Sequence, residues 1–126
     1  MNNQQKRPVH LNLLKIRLPI GGIMSIIHRA TGLVMFLAVP WLIYLLDLSL
    51  ISEKGYLNAI ELLHTPIGVL LLFGLMWSMM HHLLAGIRYL LIDVDCGVEK
   101  LIARQTAWLV TLVAPFFGLG LTWGLL

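Results

Sequence analysis

The sequence predicts an all-α integral membrane protein with three transmembrane helices. Of its 126 residues, 59% are hydrophobic and only 12% are charged, about half the charged share of an average soluble domain. Three apolar stretches each reach the roughly 20 residues that a helix needs to cross the hydrocarbon core of a bilayer. Apolar residues occur on all sides of these stretches, which is typical of helices surrounded by lipid rather than of helices with one wet face.

The three predicted spans follow one another without a linker or an internal repeat. They cover residues of about 20–46, 66–92 and 107–126. The first is interrupted by His28, Arg29 and Pro40, and the third contains no charged residue. The first span also lacks the small-residue cleavage pattern of a signal peptide, so we expect it to be retained. We therefore interpret residues 1–126 as a single membrane-anchor domain.

Short polar segments separate the spans and predict the orientation of the chain. The first connection contains Asp47, Ser49, Ser52, Glu53, Lys54 and Gly55, and the second contains Asp93, Asp95, Gly97, Glu99, Lys100 and Arg104. The amino end carries five basic residues, which are Lys6, Arg7, Lys15, Arg17 and Arg29. Because cytoplasmic segments hold the excess of Lys and Arg, the amino terminus and second connection should be cytoplasmic and the carboxyl terminus periplasmic.

Composition argues against two other classes of function. The net charge is +3, but the basic residues border apolar stretches and form no separate patch for nucleic acid. Cys96 is the single cysteine, so it forms no internal disulfide, and no Cys or His lies at short metal-ligand spacing from it. We expect Cys96 to be inert.

The first span has a polar face, which is energetically unfavourable in lipid unless its side chains contact a partner. Ser25, His28 and Arg29 are spaced i, i+3 and i+4, so they share one face, which Gly21 and Gly32 extend. An ionisable residue inside a span costs at least about 2.5 kcal/mol. One interpretation is that Arg29 snorkels to the interface while His28 meets a backbone carbonyl. The other is that the three donors bind an anionic or carbonyl ligand, such as haem propionates or a quinone head group.

The second span contains two adjacent histidines that cannot face the same site. His81 and His82 point about 100° apart on a helix. The face of His82 carries Ser78, Ala85, Gly86, Tyr89 and Asp93. Small residues allow close approach to a helix backbone, so we predict His82 as an axial haem ligand and His81 as a packing or hydrogen-bonding residue. His28 is a conceivable second ligand, whereas His64 lies about 27 Å along the helix axis from His82.

Charged residues follow His82 toward the predicted cytoplasmic end of the span. Arg88 and Asp93 could pair with each other, or they could meet propionates or partner subunits. The alternative is an interfacial charge cluster of little energetic weight. The sequence leaves these possibilities open.

Two ordered blocks carry a resemblance to a known family. The amino-terminal block comprises Arg7–Leu13 and Ser25–Gly32, and the second block is His82–Asp93 with its His, three residues, Gly, an apolar residue, Arg and a later Asp. Together they resemble the cytochrome b subunit of bacterial succinate dehydrogenase, over the whole three-helix layout. Tyr89, where many relatives carry His or Phe, and Ile92, where the residue is more often bulky, are mild departures.

The resemblance implies a haem b held in a helix bundle between this chain and a second small membrane-anchor subunit, with one axial His from each. On the matching positions, His82 is the axial ligand of the haem iron, and His28 and Arg29 contact the propionates. Ser25 and Arg29 contribute to the ubiquinone pocket, whose other walls come from the iron–sulfur subunit and the second anchor.

The implied function is to anchor succinate dehydrogenase in the bacterial inner membrane and to help pass electrons from succinate to the quinone pool, in the tricarboxylic acid cycle and the respiratory chain. Succinate would be oxidised on the flavin of a flavoprotein subunit, because this chain has no nucleotide fingerprint or cysteine cluster. We expect no catalytic activity from this chain alone.

Two alternatives remain at the level of sequence. The anchor of a quinol:fumarate reductase has the same architecture and runs the net reaction backward. A small non-haem transporter or membrane adaptor would use the polar residues to line a path, and it would give no haem b difference spectrum.

Overall fold

The computed structural model describes residues 18–126, which form four helices joined by short segments. These helices are α1 (Ile20–Ile51), α2 (Glu53–His64), α3 (Pro66–Asp93) and α4 (Lys100–Leu125). Three of them, α1, α3 and α4, are long and apolar enough to cross a membrane, which confirms the predicted fold class. The Arg7–Leu13 block and the basic residues Lys6, Arg7, Lys15 and Arg17 lie outside the described residues.

Helix α1 is longer than the span predicted from the sequence. Its 32 residues correspond to about 48 Å of helix, whereas the hydrocarbon core measures about 30 Å. Asp47 and Ser49, which we expected in a connection, lie within α1. The Ser49 hydroxyl donates to the carbonyl of Leu46 at 2.7 Å, so this polar side chain is satisfied inside the helix. A polar residue near the end of a long apolar run therefore does not end the helix.

Most of the segment between the first two predicted spans is the helix α2. Ser52 separates α1 from α2 and has an extended backbone conformation, with φ −168° and ψ 166°. Its side chain then accepts a hydrogen bond from the backbone N–H of Gly55 at 3.0 Å, which is the action of a helix N-cap. A β-carbon on Gly55 would collide with the carbonyl oxygen of Leu48. A glycine at this position thus allows α2 to fold back tightly against the end of α1.

The same capping device starts α3. The Thr65 hydroxyl accepts from the backbone N–H of Gly68 at 3.0 Å, and Pro66 occupies the first turn, where its missing N–H costs nothing. Just before this cap, the ring nitrogens of His64 lie 2.9 Å from the carbonyl oxygen of Ile60 and 3.2 Å from the backbone oxygen of Leu126. His64 therefore connects the end of α2 to the end of α4.

Helices α3 and α4 form the most extensive helix–helix contact in the described part of the chain. Gly118 lies against the backbone of Trp77, because a β-carbon there would be only 2.8 Å from the Trp77 Cα atom. Ala107 and Ala114 are fully buried. Small residues at these positions let the two backbones approach closely, which is how membrane helices gain packing energy without a hydrophobic driving force.

The second connection is a short turn, and α4 begins earlier than predicted. Asp95 has φ 60° and Gly97 has φ 75°, so the chain reverses through the left-handed region after α3. Helix α4 starts at Lys100 rather than at about residue 107. The charged residues Lys100 and Arg104, which we expected in the connection, lie in the first turns of the helix.

Candidate functional site

The centre of the candidate site is a pair of stacked histidines on neighbouring helices. The rings of His28 on α1 and His82 on α3 have centroids 3.9 Å apart and planes inclined by 16°. Gly32 permits this arrangement, because a β-carbon on Gly32 would lie 3.0 Å from Cε1 of His82. The structure thus brings together two of the residues that the sequence predicted for one site.

Backbone hydrogen bonding determines which tautomer His82 adopts. Its Nδ1 atom lies 3.0 Å from the carbonyl oxygen of His28, and a carbonyl oxygen can only accept, so Nδ1 carries the hydrogen. The Thr31 hydroxyl donates to the same carbonyl at 2.9 Å and lies 3.4 Å from Nδ1. In the neutral ring Nε2 is then unprotonated, and it has no hydrogen bond within residues 18–126. Metal-ligating histidines take this state, with one nitrogen bonded to a carbonyl and the other available.

Two buried polar atoms beside the histidine pair have no hydrogen-bond partner in the described part of the chain. They are Nε2 of His28 and the hydroxyl of Tyr89. The Tyr89 ring meets the His28 ring edge-on, with centroids 5.3 Å apart and an angle of 75°. An unpaired buried donor or acceptor costs about 1–3 kcal/mol. Both atoms are therefore suited to an acceptor or donor supplied by a ligand, such as a carboxylate.

Tyr89 is not among the residues predicted for the site, although the sequence contains a signal for it. Tyr89 lies seven residues after His82, which places both side chains on one face of α3. Its contact with His28 on another helix could not be inferred from that spacing.

The described residues cannot hold a bare metal ion by themselves. Within residues 18–126 there is no cluster of three or more His, Cys, Asp or Glu side chains with suitable geometry. In a haem the macrocycle itself supplies most of the ligands of the iron, so a single histidine with an available nitrogen is a sufficient contribution from these residues. The residues present therefore fit the cofactor that the sequence implied.

The two adjacent histidines of α3 lie in different environments. His81 is fully buried, and neither of its ring nitrogens has a hydrogen-bond partner within residues 18–126. His82 keeps partial exposure. The difference follows from the step of about 100° between consecutive helical residues. The assignment of His82 rather than His81 as a ligand stays a prediction.

The remaining members of the polar face of α1 are more accessible than His28. Ser25 is half-buried and Arg29 is exposed, and neither side chain forms a hydrogen bond to another described residue. His28, in contrast, stacks on His82 of α3. Ser25 and Arg29 remain accessible to groups from outside residues 18–126.

Arg88 is engaged within the chain. Its Nε donates to the hydroxyl of Thr106 at 3.0 Å, and its Nη2 donates to the carbonyl of Ala103 at 2.7 Å. Arg88 thereby links α3 to α4. Asp93, which we considered as its partner, is exposed.

The fold and the site together define a class of protein. Three apolar helices cross the membrane, and a histidine with an available nitrogen lies between two of them beside unpaired buried polar atoms. Helix bundles build prosthetic-group sites from side chains on facing helices, so the class is a helical membrane subunit with a candidate site of this kind.

Comparison with known proteins makes the identification more specific. The family described as Succinate dehydrogenase/Fumarate reductase transmembrane subunit matches residues 3–121, and the chain belongs to this family. The resemblance seen in the sequence blocks is therefore confirmed.

Individual relatives are similar along most of the chain. The Succinate dehydrogenase cytochrome b556 subunit of Coxiella burnetii is 34% identical over 113 residues, which cover 86% of this chain and 90% of the relative. The protein of the same name from Paracoccus denitrificans is 32% identical over 97 residues, covering 77% of this chain and 75% of the relative. That from Rickettsia felis is 31% identical over 105 residues, covering 83% and 82%.

Proposed function

We propose that this chain anchors succinate dehydrogenase in the bacterial cytoplasmic membrane, binds haem b through His82, and forms part of the ubiquinone-reduction site. The haem is shared with a second small membrane-anchor subunit, which supplies the other axial histidine. The flavoprotein and iron–sulfur subunits complete the enzyme, and this chain alone has no activity. Family membership supports the assembly, and the names of the relatives support a b-type haem.

The observation that carries the haem proposal is the hydrogen bond between Nδ1 of His82 and the carbonyl oxygen of His28, 3.0 Å long. It holds the imidazole in the tautomer that leaves Nε2 for iron, and it restricts rotation of the ring. Bound haem b supplies a one-electron redox centre. The chain's own contribution is to orient the axial imidazole.

The propionate assignment rests on unpaired polar atoms and on charge. Nε2 of His28 is buried without a partner among the described residues, and Arg29 provides a permanent cation one residue further along α1. A cation and an N–H donor suit carboxylates, since charge-assisted hydrogen bonds are about twice as strong as neutral ones. His28 and Arg29 would hold the propionates and compensate their charge.

The quinone assignment uses the accessible side of the same helix. The Ser25 hydroxyl donates to a quinone carbonyl oxygen, and the Arg29 guanidinium stabilises negative charge on that oxygen as electrons arrive. Both residues lie in the first turns of α1, near the predicted cytoplasmic face where a soluble electron-carrying subunit can dock. Their accessibility within this chain leaves room for the iron–sulfur subunit and the second anchor to form the other walls.

The direction of the net reaction follows the names of the relatives. The family includes anchors of both succinate dehydrogenase and fumarate reductase, whereas the relatives described above are named as succinate dehydrogenase subunits. Comparing succinate:ubiquinone activity with quinol:fumarate activity in the purified complex tests this choice.

The haem proposal is tested by purifying the tagged complex with His82→Ala or His81→Ala in this chain. We expect His82→Ala to remove or strongly perturb the low-spin haem b signal in the reduced-minus-oxidised spectrum, because the iron loses an axial nitrogen. His81→Ala is the matched control, adjacent in sequence and of identical chemistry, and it should retain the signal. Loss of the signal in His81→Ala with retention in His82→Ala would refute the assignment.

A further inference from the structure

A basic cleft lies where the start of α1, the end of α3 and the start of α4 meet. Its volume is about 560 Å³, and its charged lining residues are Arg88, Lys100 and Arg104. Its apolar lining includes Ile20, Ile23 and Trp108. Among residues 18–126 no Asp or Glu lines it. The cleft thus combines a cationic rim with an apolar floor.

The rim and the floor are separated along the axis of α4. Lys100 is the first residue of α4, and Trp108 lies eight residues further along, about 12 Å into the helix. Lys100 and Arg104 are exposed and lie one turn apart on the same face. Arg88 donates to Thr106 and Ala103, so it contributes charge to the cleft mainly as a fixed neighbour.

We propose that this cleft binds an anionic phospholipid, with the phosphodiester between Lys100 and Arg104 and an acyl chain along Ile23 and Trp108. The order of charge, aromatic ring and apolar surface matches the order of headgroup, interface and acyl chain at a membrane boundary. Basic clefts between transmembrane helices at the cytoplasmic side suit anionic headgroups in general.

Two other occupants fit the cleft less well. Ubiquinone has a neutral head group that does not need three cations, and Ser25 and Arg29 do not line this cleft. An acidic segment of a soluble subunit would pair with the basic residues of the rim, but it would place its polar backbone against the apolar floor of the cleft. Because none of Ser25, His28, Arg29 and His82 lines the cleft, the lipid site does not depend on the proposed haem and quinone roles.

The test uses the whole purified complex, stripped of lipid in mild detergent and titrated with dioleoylphosphatidylglycerol or dioleoylphosphatidylcholine. Retained lipid is counted by native mass spectrometry. The wild-type complex should retain the phosphatidylglycerol about tenfold more tightly than the phosphatidylcholine. A tenfold difference in affinity is no larger than the contribution of one charge-assisted contact. The double substitution Lys100→Gln and Arg104→Gln should abolish this preference.

Matched controls keep the result interpretable. Lys54→Gln removes an exposed cation from α2, outside the cleft, and should leave the preference unchanged. The single substitution Lys100→Gln should reduce the preference for the anionic lipid partly. It therefore tests the proposal even if the double variant fails to assemble. Equal retention of both lipids by the wild type, or an unchanged preference in the single and double variants, would overturn the proposal. Loss of the soluble subunits from the double variant with unchanged lipid retention would instead indicate a protein partner and would also overturn it.

Discussion

Gly32→Ala should weaken haem binding by displacing the ring of His82. The added β-carbon would lie 3.0 Å from Cε1 of His82, which is closer than an ordinary van der Waals contact, and 3.4 Å from Nδ1, which is at the lower limit of such contacts. The ring must therefore move by a few tenths of an ångström away from α1. That movement lengthens the bond from Nδ1 to the carbonyl oxygen of His28, which measures 3.0 Å.

The expected magnitude follows from two opposing effects. Alanine favours a helix over glycine by up to about 1 kcal/mol, so α1 itself is not weakened. The disturbed hydrogen bond is worth about 0.5–1.5 kcal/mol, and the loss of such an outer partner typically costs 10–100-fold in metal-site affinity. We expect the complex to assemble while retaining haem about tenfold less tightly.

The assay is haem content per flavin in the purified complex, measured by the reduced-minus-oxidised spectrum during challenge with a haem-binding apoprotein. Gly124→Ala is the control, because a β-carbon at Gly124 would meet nothing within 4 Å in the described chain. Identical haem loss rates for the Gly32→Ala and wild-type complexes would refute the argument that Gly32 positions His82. Equal loss in Gly124→Ala would show that any added methyl group is responsible.

Three further predictions concern quinone, topology and pH. Ser25→Ala and Arg29→Leu should each slow quinone reduction, Arg29→Leu by about tenfold or more and Ser25→Ala by less, because hydrogen bonds to charged groups are stronger. Succinate oxidation with a soluble dye as acceptor should stay intact, and unchanged quinone kinetics in both variants would remove these residues from the site. Periplasm-dependent reporters should be active after Leu126 and silent near Cys96; the reverse pattern would invert the protein and place the quinone site on the wrong face. Two backbone hydrogen bonds raise the pKa of His64 above its ordinary value of about 6.5, and the bond to Ile60 has a larger effect than the bond to Leu126. The stabilisation from the His64 cation is thus full below that ordinary value and is lost as the pH rises through the raised pKa. Compared with wild type, His64→Gln should lower the Tm at about pH 5.5 and match it at about pH 8.5; a constant difference would contradict this.

The sequence alone was sufficient to predict the class of protein and the positions at which polar residues interrupt the apolar spans. The free energy of transferring an apolar helix into lipid depends on local composition and length, so the three spans could be read along the chain. The polar exceptions Ser25, His28, Arg29 and His82 were identified for the same reason, since each ionisable residue in a span requires a compensating contact. The helix ends were less predictable, because the capping of α2 by Ser52 depends on a backbone turn rather than on hydropathy.

Tertiary structure decided which of these residues meet. His82 bonds to the carbonyl of a residue 54 positions away, and that contact depends on how α1 and α3 are rotated about their axes, which hydropathy does not encode. The same holds for Tyr89, whose edge faces His28, and for Arg88, which bonds to α4 rather than to Asp93. Helix periodicity places residues on a common face, but close packing between helices, set by glycines such as Gly32 and Gly118, determines what that face contacts.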